Sequence, residues 1–311
     1  PGSSASGNCF LSVRTQGELV ERYVVKRVNW GRDWVMQASD DRLCREAQLW
    51  LSGTFDRLPP EVTHAVVACA KDDDGYAILM SDQSDLLYNK TQTLDEASHR
   101  CCLNALAALH ARYVDDPALL DPGLGLCDPT CYFTFFSPRV LSKVGKENWI
   151  KFWDIVDAYF APETTRVIKS LHEDPGPLYE ALQDFPQTLA HGDWAPRNLG
   201  LDLQRSSSVL AIDWQFSHCG APALDLFRYL IEHIAEWPVP HGESIGYYRM
   251  CYEQHADTVL DDDEWEAQVE LSVLGIFLIF GGVWTKNMVS RDELAELSWI
   301  EQKIQAGAAR L

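Results

Sequence analysis

Residues His191, Gly192, Asp193, Trp194, Ala195, Pro196, Arg197 and Asn198 form a polar loop, and after a short spacer the apolar run Val209-Leu210-Ala211-Ile212 ends on Asp213. Those residue types at that spacing suit phosphoryl transfer to a hydroxyl. The reaction needs a carboxylate that orients the attacking hydroxyl and takes its proton, and oxygen ligands for a Mg²⁺ ion bridging the phosphates. One loop can supply both. Asp193 is then the base, while Asn198, five positions on, and Asp213, at the end of a buried strand, are the metal ligands. Each group alone would be ordinary, because His-Gly-Asp and Asn are turn formers and an acid often ends a strand. Their order and spacing carry the reading.

The pattern His-x-Asp-x-x-x-x-Asn followed by an apolar strand and Asp resembles the catalytic and metal-binding loops of the kinase fold. With Gly192 in second position, and Asp213-Trp214 in place of Asp-Phe-Gly, the chain is similar to the aminoglycoside phosphotransferase and choline kinase branch. The resemblance implies an α+β, bilobal protein-kinase-like fold: a small β-rich nucleotide-binding lobe over residues 1–82 and a larger helical lobe over 83–311. It implies Mg²⁺ as cofactor and ATP or GTP as co-substrate. It also implies a strand lysine on the nucleotide phosphates and a helix glutamate that fixes it. Lys26 in Tyr23-Val24-Val25-Lys26 and Glu46 match these, and join Asp193 as the catalytic set. Ser6, Gly7 and Asn8 resemble the family's phosphate-covering loop, where small residues let backbone N–H groups approach the nucleotide. Met80, Ser81 and Asp82 match the hinge that meets the base. Asp225, in Pro222-Ala223-Leu224-Asp225-Leu226, resembles the buried carboxylate that braces the catalytic loop, although a helix N-terminal acid would look the same. His110, at the end of Leu106-Ala107-Ala108-Leu109-His110, and His191 are expected to be structural supports.

Ala195 departs from the protein-kinase pattern, where a lysine neutralises the transferred phosphate, so another cation has to do that work, and Arg197 is the candidate. Acceptor binding is expected of the helical lobe, at Glu232, Glu236, Trp214 and Arg197. Anionic and aromatic groups there could hold an ammonium by charge and cation–π contact, or could be solvated faces. The acceptor expected is an amine-bearing small molecule, an aminoglycoside ahead of choline-like alcohols, sugars and homoserine. A catalytically silent nucleotide-binding module is the rival from another class, and the set Lys26, Glu46, Asp193, Asn198 and Asp213 speaks against it. A protein kinase is disfavoured because no Ala-Pro-Glu segment follows Asp213.

Positioning these groups falls to strands early in the chain and to helices after residue 82. Phe10 to Arg14, a turn at Thr15-Gln16-Gly17-Glu18, and Leu19 to Val28 read as a β-hairpin. Ser39 with Asp40 and Asp41 is expected to cap a helix whose Leu43, Ala47, Trp50 and Leu51 share a face and which ends at Gly53. Val62 to Ala70 and Tyr76 to Met80 read as a second hairpin around an Asp-Gly turn. Thr93 to Glu96 reads as a capping box opening the helix that carries His110. Residues 115–147, punctuated by Pro and Gly, are expected outside the core. Asn148 to Leu171 is helical in pattern. Four helices follow over Pro222–Trp237, Glu243–Val259, Asp261–Met288 and Arg291–Arg310, the last with a capping box at Ser290 and Glu293.

Composition sets the outer limits. A chain of 311 residues exceeds the size of one growing core, which favours two lobes. Lys and Arg number 26 against 46 Asp and Glu, a charge of −20; such a field repels a phosphate backbone or an anionic membrane and attracts cations. Neither nucleic acid nor membrane is an expected partner, and a small, cationic hydroxyl acceptor is. The nine cysteines are scattered with no CxxC pair, which speaks against a disulfide framework or a zinc site and for a reducing cytoplasm. The apolar run Leu271 to Trp284 is too short to span a bilayer, and the N-terminus shows no signal core.

Overall fold

The structure, a computed structural model, describes residues 2–3, 9–14, 21–88, 94–201, 208–231 and 237–311. Its first strands are β1 (Gly2–Ser3), β2 (Cys9–Arg14) and β3 (Arg22–Asn29). Val24, Val25 and Val28 suit β3 to a pleated surface, and its central Lys26 pairs across the ladder with Phe10 of β2. After β4 (Val62–His64), β5 (Val66–Asp72) and β6 (Gly75–Ser81) complete a sheet of order β1-β2-β3-β6-β5, with Lys26 opposite the buried Ile78.

The helix expected from Ser39 is two helices. Asp33 caps α1 (Trp34–Ala38), its Oδ1 accepting from Val35 N at 2.8 Å and Met36 N at 3.3 Å, and Ser39 closes it. α2 (Arg45–Leu51) starts after Cys44, which sits in the left-handed region. The expected apolar face is corrected too: Leu43 and Leu51 are exposed, while Arg45, Glu46, Ala47 and Leu49 are buried. α2 turns charged side chains inward because they have partners there, which hydrophobic periodicity does not register.

The strand expected over 62–70 also divides. β4 leaves the first sheet and pairs in parallel with β9 (Val209–Ala211), which pairs antiparallel with β8 (Leu199–Leu201). β7 (Thr188–Ala190) pairs antiparallel with β10 (His218–Gly220). These two small sheets bracket the loops that carry Asp193 and Asp213.

Helices dominate the remainder. α3 (Glu96–Tyr113) is capped by Asp95, whose side chain accepts from Ser98 N at 2.7 Å; the expected cap, Thr93, lies outside the described residues. Residues 115–147 contradict the expectation of a peripheral stretch, because Tyr132, Phe133, Phe135 and Leu141 are fully buried. Here proline opens helices instead of ending them: α4 (Pro129–Phe133) starts behind the Asp128 cap and α5 (Pro138–Lys143) behind Ser137. α6 (Lys151–Tyr159) and α7 (Pro162–Glu173) divide at Pro162, followed by α8 (Gly176–Gln183), α9 (Ala223–Ile231) and α10 (His241–Ala256).

α11 (Asp262–Arg291) is the central helix, with Val273, Leu274, Ile276, Phe277 and Leu278 all buried. Its 30 residues are long and apolar enough to cross a membrane, so the expectation from length is corrected, yet 83% of its most apolar stretch is buried inside the protein. Such burial is that of a core helix. α11 runs through Ser290, whose hydroxyl donates to Asn287 O, and α12 (Leu294–Ala308) has no side-chain cap. The expected Ser290–Glu293 box therefore does not form.

Candidate active site

The loop after β7 turns sharply at Gly192, with φ at +79°. A Cβ there would collide with the backbone carbonyl of Phe216, so both the dihedral and the space demand glycine. Asp225, buried on α9, closes the turn: its Oδ2 accepts from His191 N at 2.5 Å and its Oδ1 from Gly192 N at 2.8 Å. His110 Nε2 lies 3.4 Å from the same carboxylate, and its Nδ1 meets Tyr248 Oη at 2.6 Å. Both nitrogens of His110 thus have partners within the fold. His191 links the two loops: Nε2 donates to Ile212 O at 3.1 Å, and Nδ1 accepts from Asp193 N at 3.2 Å. Burial holds its pKa below the usual value, in keeping with a neutral ring.

Strand register brings the metal-ligand candidates together. Leu199 pairs with Ala211, and Ile212 N donates to Asn198 O at 3.0 Å. Asn198 and Asp213 therefore flank the same end of one ladder. Asn198 Nδ2 donates to Asp193 Oδ2 at 2.8 Å and to Asp193 O at 2.9 Å, so the amide oxygen is the atom it can offer a cation. Asp213 has left-handed geometry, φ +67°, which Asp tolerates better than most side chains.

Asp193 is held by two arginines. Arg197 Nη2 reaches its Oδ1 and Oδ2 at 2.8 and 2.7 Å, and Arg228 Nε and Nη2 reach Oδ1 at 2.8 and 2.7 Å. Burial alone would raise the pKa of this carboxyl; Arg197 and Arg228 reverse that and hold it well below the usual carboxylate range. Arg228 does not figure among the sequence candidates. Its signal is a lone cation within the wholly buried helix Ala223–Ile231, and such a charge needs a partner.

Lys26 bridges Glu46 and Asp213, its Nζ 2.7 Å from an oxygen of each. Burial would lower the ammonium pKa, but the two carboxylates outweigh it and keep the group charged. Arg45 fixes α2 behind Glu46: its guanidinium donates to Gly125 O at 2.7 Å, to Gln215 O and to Ser39 O at 3.3 Å. Glu46 and the loop after Asp213 thereby share one anchor.

The remaining candidates are dispersed. Ser81 N and Asp82 N donate to Ala65 O and Arg22 O, both at 2.9 Å, and Met80 lies in the ladder opposite Val24 and Val66. The backbone N–H groups of Ser81 and Asp82 are thus both engaged within the fold. Ser6, Gly7 and Asn8 lie outside the described residues, as do Glu232 and Glu236. Trp214 is corrected: it is fully buried, its Nε1 donates to Ala211 O at 3.1 Å, and its ring packs on His191 and Phe55. It has no face for an acceptor.

On the helical side, Arg228 lies 4.1 Å over the Phe280 ring and 5.8 Å from Trp284. From Phe280 the rings continue through Phe136, at 5.7 Å, to Trp149, stacked on Phe136 at 5.3 Å. A small gap of about 10 Å³ beside them, room for about one water, is lined by Phe136, Trp149, Phe152, Trp153, Ile279 and Gly282, among others.

No protein of curated function matches the chain. Among solved structures, a Plasmodium vivax ethanolamine kinase superposes with a TM-score of 0.53 at 13% identity, over 99% of this chain and 79% of its own. The amicoumacin kinase hAmiN, in complex with AMP-PNP, Ca²⁺ and Ami, gives 0.52 at 13% identity, over 98% of this chain and 89% of its own. APH(2")-IIia, in complex with GDP and kanamycin, gives 0.50 at 14% identity, over 97% and 92%. At such identities the likeness is one of fold, and the fold is the kinase-like α+β arrangement that the loop spacing implies. A sequence model of the ecdysteroid kinase-like family matches residues 62–236, more than half of the chain and the span that holds Asp193, Asn198, Asp213 and Asp225, and the chain belongs to that family.

Proposed function

We propose that this protein is a small-molecule kinase that transfers the terminal phosphoryl group of ATP or GTP to an acceptor hydroxyl. The carrying observation is the shared register of Asn198 and Asp213 beside Asp193, with Lys26 held between Glu46 and Asp213. In this reading Asp193 orients the hydroxyl and receives its proton, and Lys26, steadied by Glu46, holds nucleotide phosphate. The donors that Asn198 and Asp213 present are hard oxygens, which fit Mg²⁺. Among the described residues no three His, Cys, Asp or Glu converge on one metal position. That agrees with an ion held largely by phosphates, which needs only one or two protein oxygens. Those two residues would hold the Mg²⁺, whose part is to neutralise charge on the phosphates.

Two readings of the acceptor each have support. The aromatic run from Phe280 to Trp149 and the arginines on Asp193 favour a ring-bearing, largely apolar alcohol. The charge of −20 favours an amine-bearing alcohol such as an aminoglycoside, a class with solved kinases of this fold. Location in a reducing cytoplasm is part of the proposal, supported by the eight free cysteines among the described residues.

The test is Mg²⁺-dependent phosphorylation of a panel of ring-bearing alcohols, aminoglycosides, choline-like alcohols and sugars, with product mass as readout. An amine acceptor loses affinity as salt rises, whereas a neutral ring alcohol does not. Asp193→Ala should abolish turnover with nucleotide binding retained, and Asp213→Ala should weaken Mg²⁺-nucleotide binding. Undiminished turnover in Asp193→Ala would remove the base from the scheme.

A further inference from the structure

The carboxylate of Asp193 is saturated. Arg197 Nη2 contacts both oxygens, Arg228 contacts Oδ1 through Nε and Nη2, and Asn198 Nδ2 contacts Oδ2, all at 2.7–2.8 Å. A carboxylate offers about four lone-pair sites, and these contacts fill them. No site is left for an incoming hydroxyl, so one partner has to withdraw before Asp193 can act as a base.

The three partners are not equally buried. The Arg228 side chain is 1% exposed and its guanidinium stacks on Phe280 at 4.1 Å. Asn198 is buried and tied also to the backbone carbonyl of Asp193. The Arg197 side chain is 39% exposed and stands on the short 3-10 turn Pro196–Asn198, from which it can swing outward without opening the core.

We propose that Arg228 is the permanent positioning residue of Asp193, and that Arg197 is a displaceable stand-in for the acceptor hydroxyl that keeps the carboxylate closed to water until an acceptor takes its place. The inference rests on the reading of Asp193 as the base. Its consequence concerns hydrolysis in the absence of an acceptor. In that side reaction a water oxygen bonds to the γ-phosphorus while the bond from that phosphorus to the β,γ-bridging oxygen breaks. The electron pair leaves with the nucleoside diphosphate, the water proton passes to Asp193, and the products are the diphosphate and inorganic phosphate. With Arg197 across both carboxylate oxygens, water cannot be oriented there.

The experiment measures phosphate release from Mg²⁺-ATP and Mg²⁺-GTP without any acceptor, alongside nucleotide affinity, in the full chain. Positioned general bases contribute factors of a hundred or more, so uncovering Asp193 in Arg197→Gln is expected to raise hydrolysis about tenfold or more, whereas an Arg197 that served instead to neutralise the transferred phosphate would lower it on substitution. Arg197→Lys, which keeps a charge on a shorter side chain with fewer donors, should fall between, and it serves should Arg197→Gln fold poorly. Adding Arg228→Lys to Arg197→Gln should remove most of the gain while leaving nucleotide affinity intact, an effect that a purely structural role would not produce. Hydrolysis that stays flat in both Arg197 variants while nucleotide still binds overturns the stand-in. A gain that persists in Arg197→Gln/Asp193→Asn overturns instead the assignment of the base. Failure of the wild type to bind either nucleotide removes the proposed function, and this inference with it.

Discussion

At the scale of single residues, the site is built from side chains whose partners leave them little choice of position. Gly192 is the simplest case. Its φ of +79° already disfavours any L side chain, and a Cβ would meet the carbonyl of Phe216, a backbone atom that cannot step aside. Gly192→Ala should therefore destabilise the protein by about 2–4 kcal/mol, combining dihedral strain with overpacking, and should abolish turnover by displacing Asp193. Urea unfolding of the variant checks the first, and a near wild-type midpoint would mean that the loop can relax. Asp193, Asn198 and Asp213 were legible in the sequence because local spacing sets their relation: five residues across one loop, and one short ladder to the next. Arg228 was not, because its partner Asp193 is 35 positions away, while Asp225 and Glu232, three and four positions from it in sequence, read as its ordinary helical ion-pair partners. Trp214 misled for the converse reason: an aromatic beside a polar loop reads as a ligand surface, whereas here it fills the space between His191 and Phe55.

At the scale of elements, the chain uses short pieces to aim the long ones. The β2–β3 and β5–β6 pairings, α3 and the four last helices follow from periodicity, although the turn expected at Thr15-Gln16-Gly17-Glu18 lies outside the described residues, and bounds are displaced chiefly where a cap or a proline acts differently from its usual sense. What periodicity does not reveal is a helix that buries charge. α2 hides Arg45 and Glu46 and exposes Leu51, since Arg45 is the anchor between α2, the carbonyl of Gly125 and the carbonyl of Gln215. Nor does it reveal that Val62 to His64 crosses to the strand before Asp213, a choice made by tertiary pairing rather than by β-propensity. Arg45→Met keeps much of the bulk but strips the donors and leaves Asp41, its buried ion-pair partner at 3.9 Å, without a cation. Breaking a buried pair from one side costs about 3–5 kcal/mol, so the variant should unfold at clearly lower urea concentration. Its nucleotide KM should rise as well, because Glu46 and the 213–217 loop lose their common anchor. An unchanged KM in a destabilised variant would show that Lys26 alone sets the geometry.

At the scale of the whole molecule, the interior holds several histidines kept neutral by burial, and this sets how the protein responds to acid. His99, on α3, is fully buried between Tyr229 and Trp237, with Nδ1 3.1 Å from Tyr229 Oη and Nε2 2.8 Å from Ser244 Oγ. Burial, with a smaller push from Arg100, lowers its pKa to about 4. His172, on α7, is lowered likewise by burial, with its Nε2 on Leu278 O at 2.9 Å. For a histidine whose folded pKa is depressed, the unfolded chain binds the proton first. Stability is then complete above the unfolded value of about 6.5 and falls as the pH drops toward the folded value. Across that window His99 alone should remove about 3 kcal/mol, at about 1.4 kcal/mol per pKa unit, and His172 adds loss of the same sign. The unfolding midpoint should therefore decline steeply between pH 6.5 and pH 4, and the decline should be shallower in His99→Gln, which can still meet both hydroxyls but does not titrate. Because α3 packs on α10 and α9 through this cluster, and α9 carries both Asp225 and Arg228, the same protonation reaches the catalytic loop. Loss of activity on acidification should then track the unfolding midpoint in the wild type and move with it in His99→Gln; activity that fell at the same pH in both would place the sensitive group in the site itself.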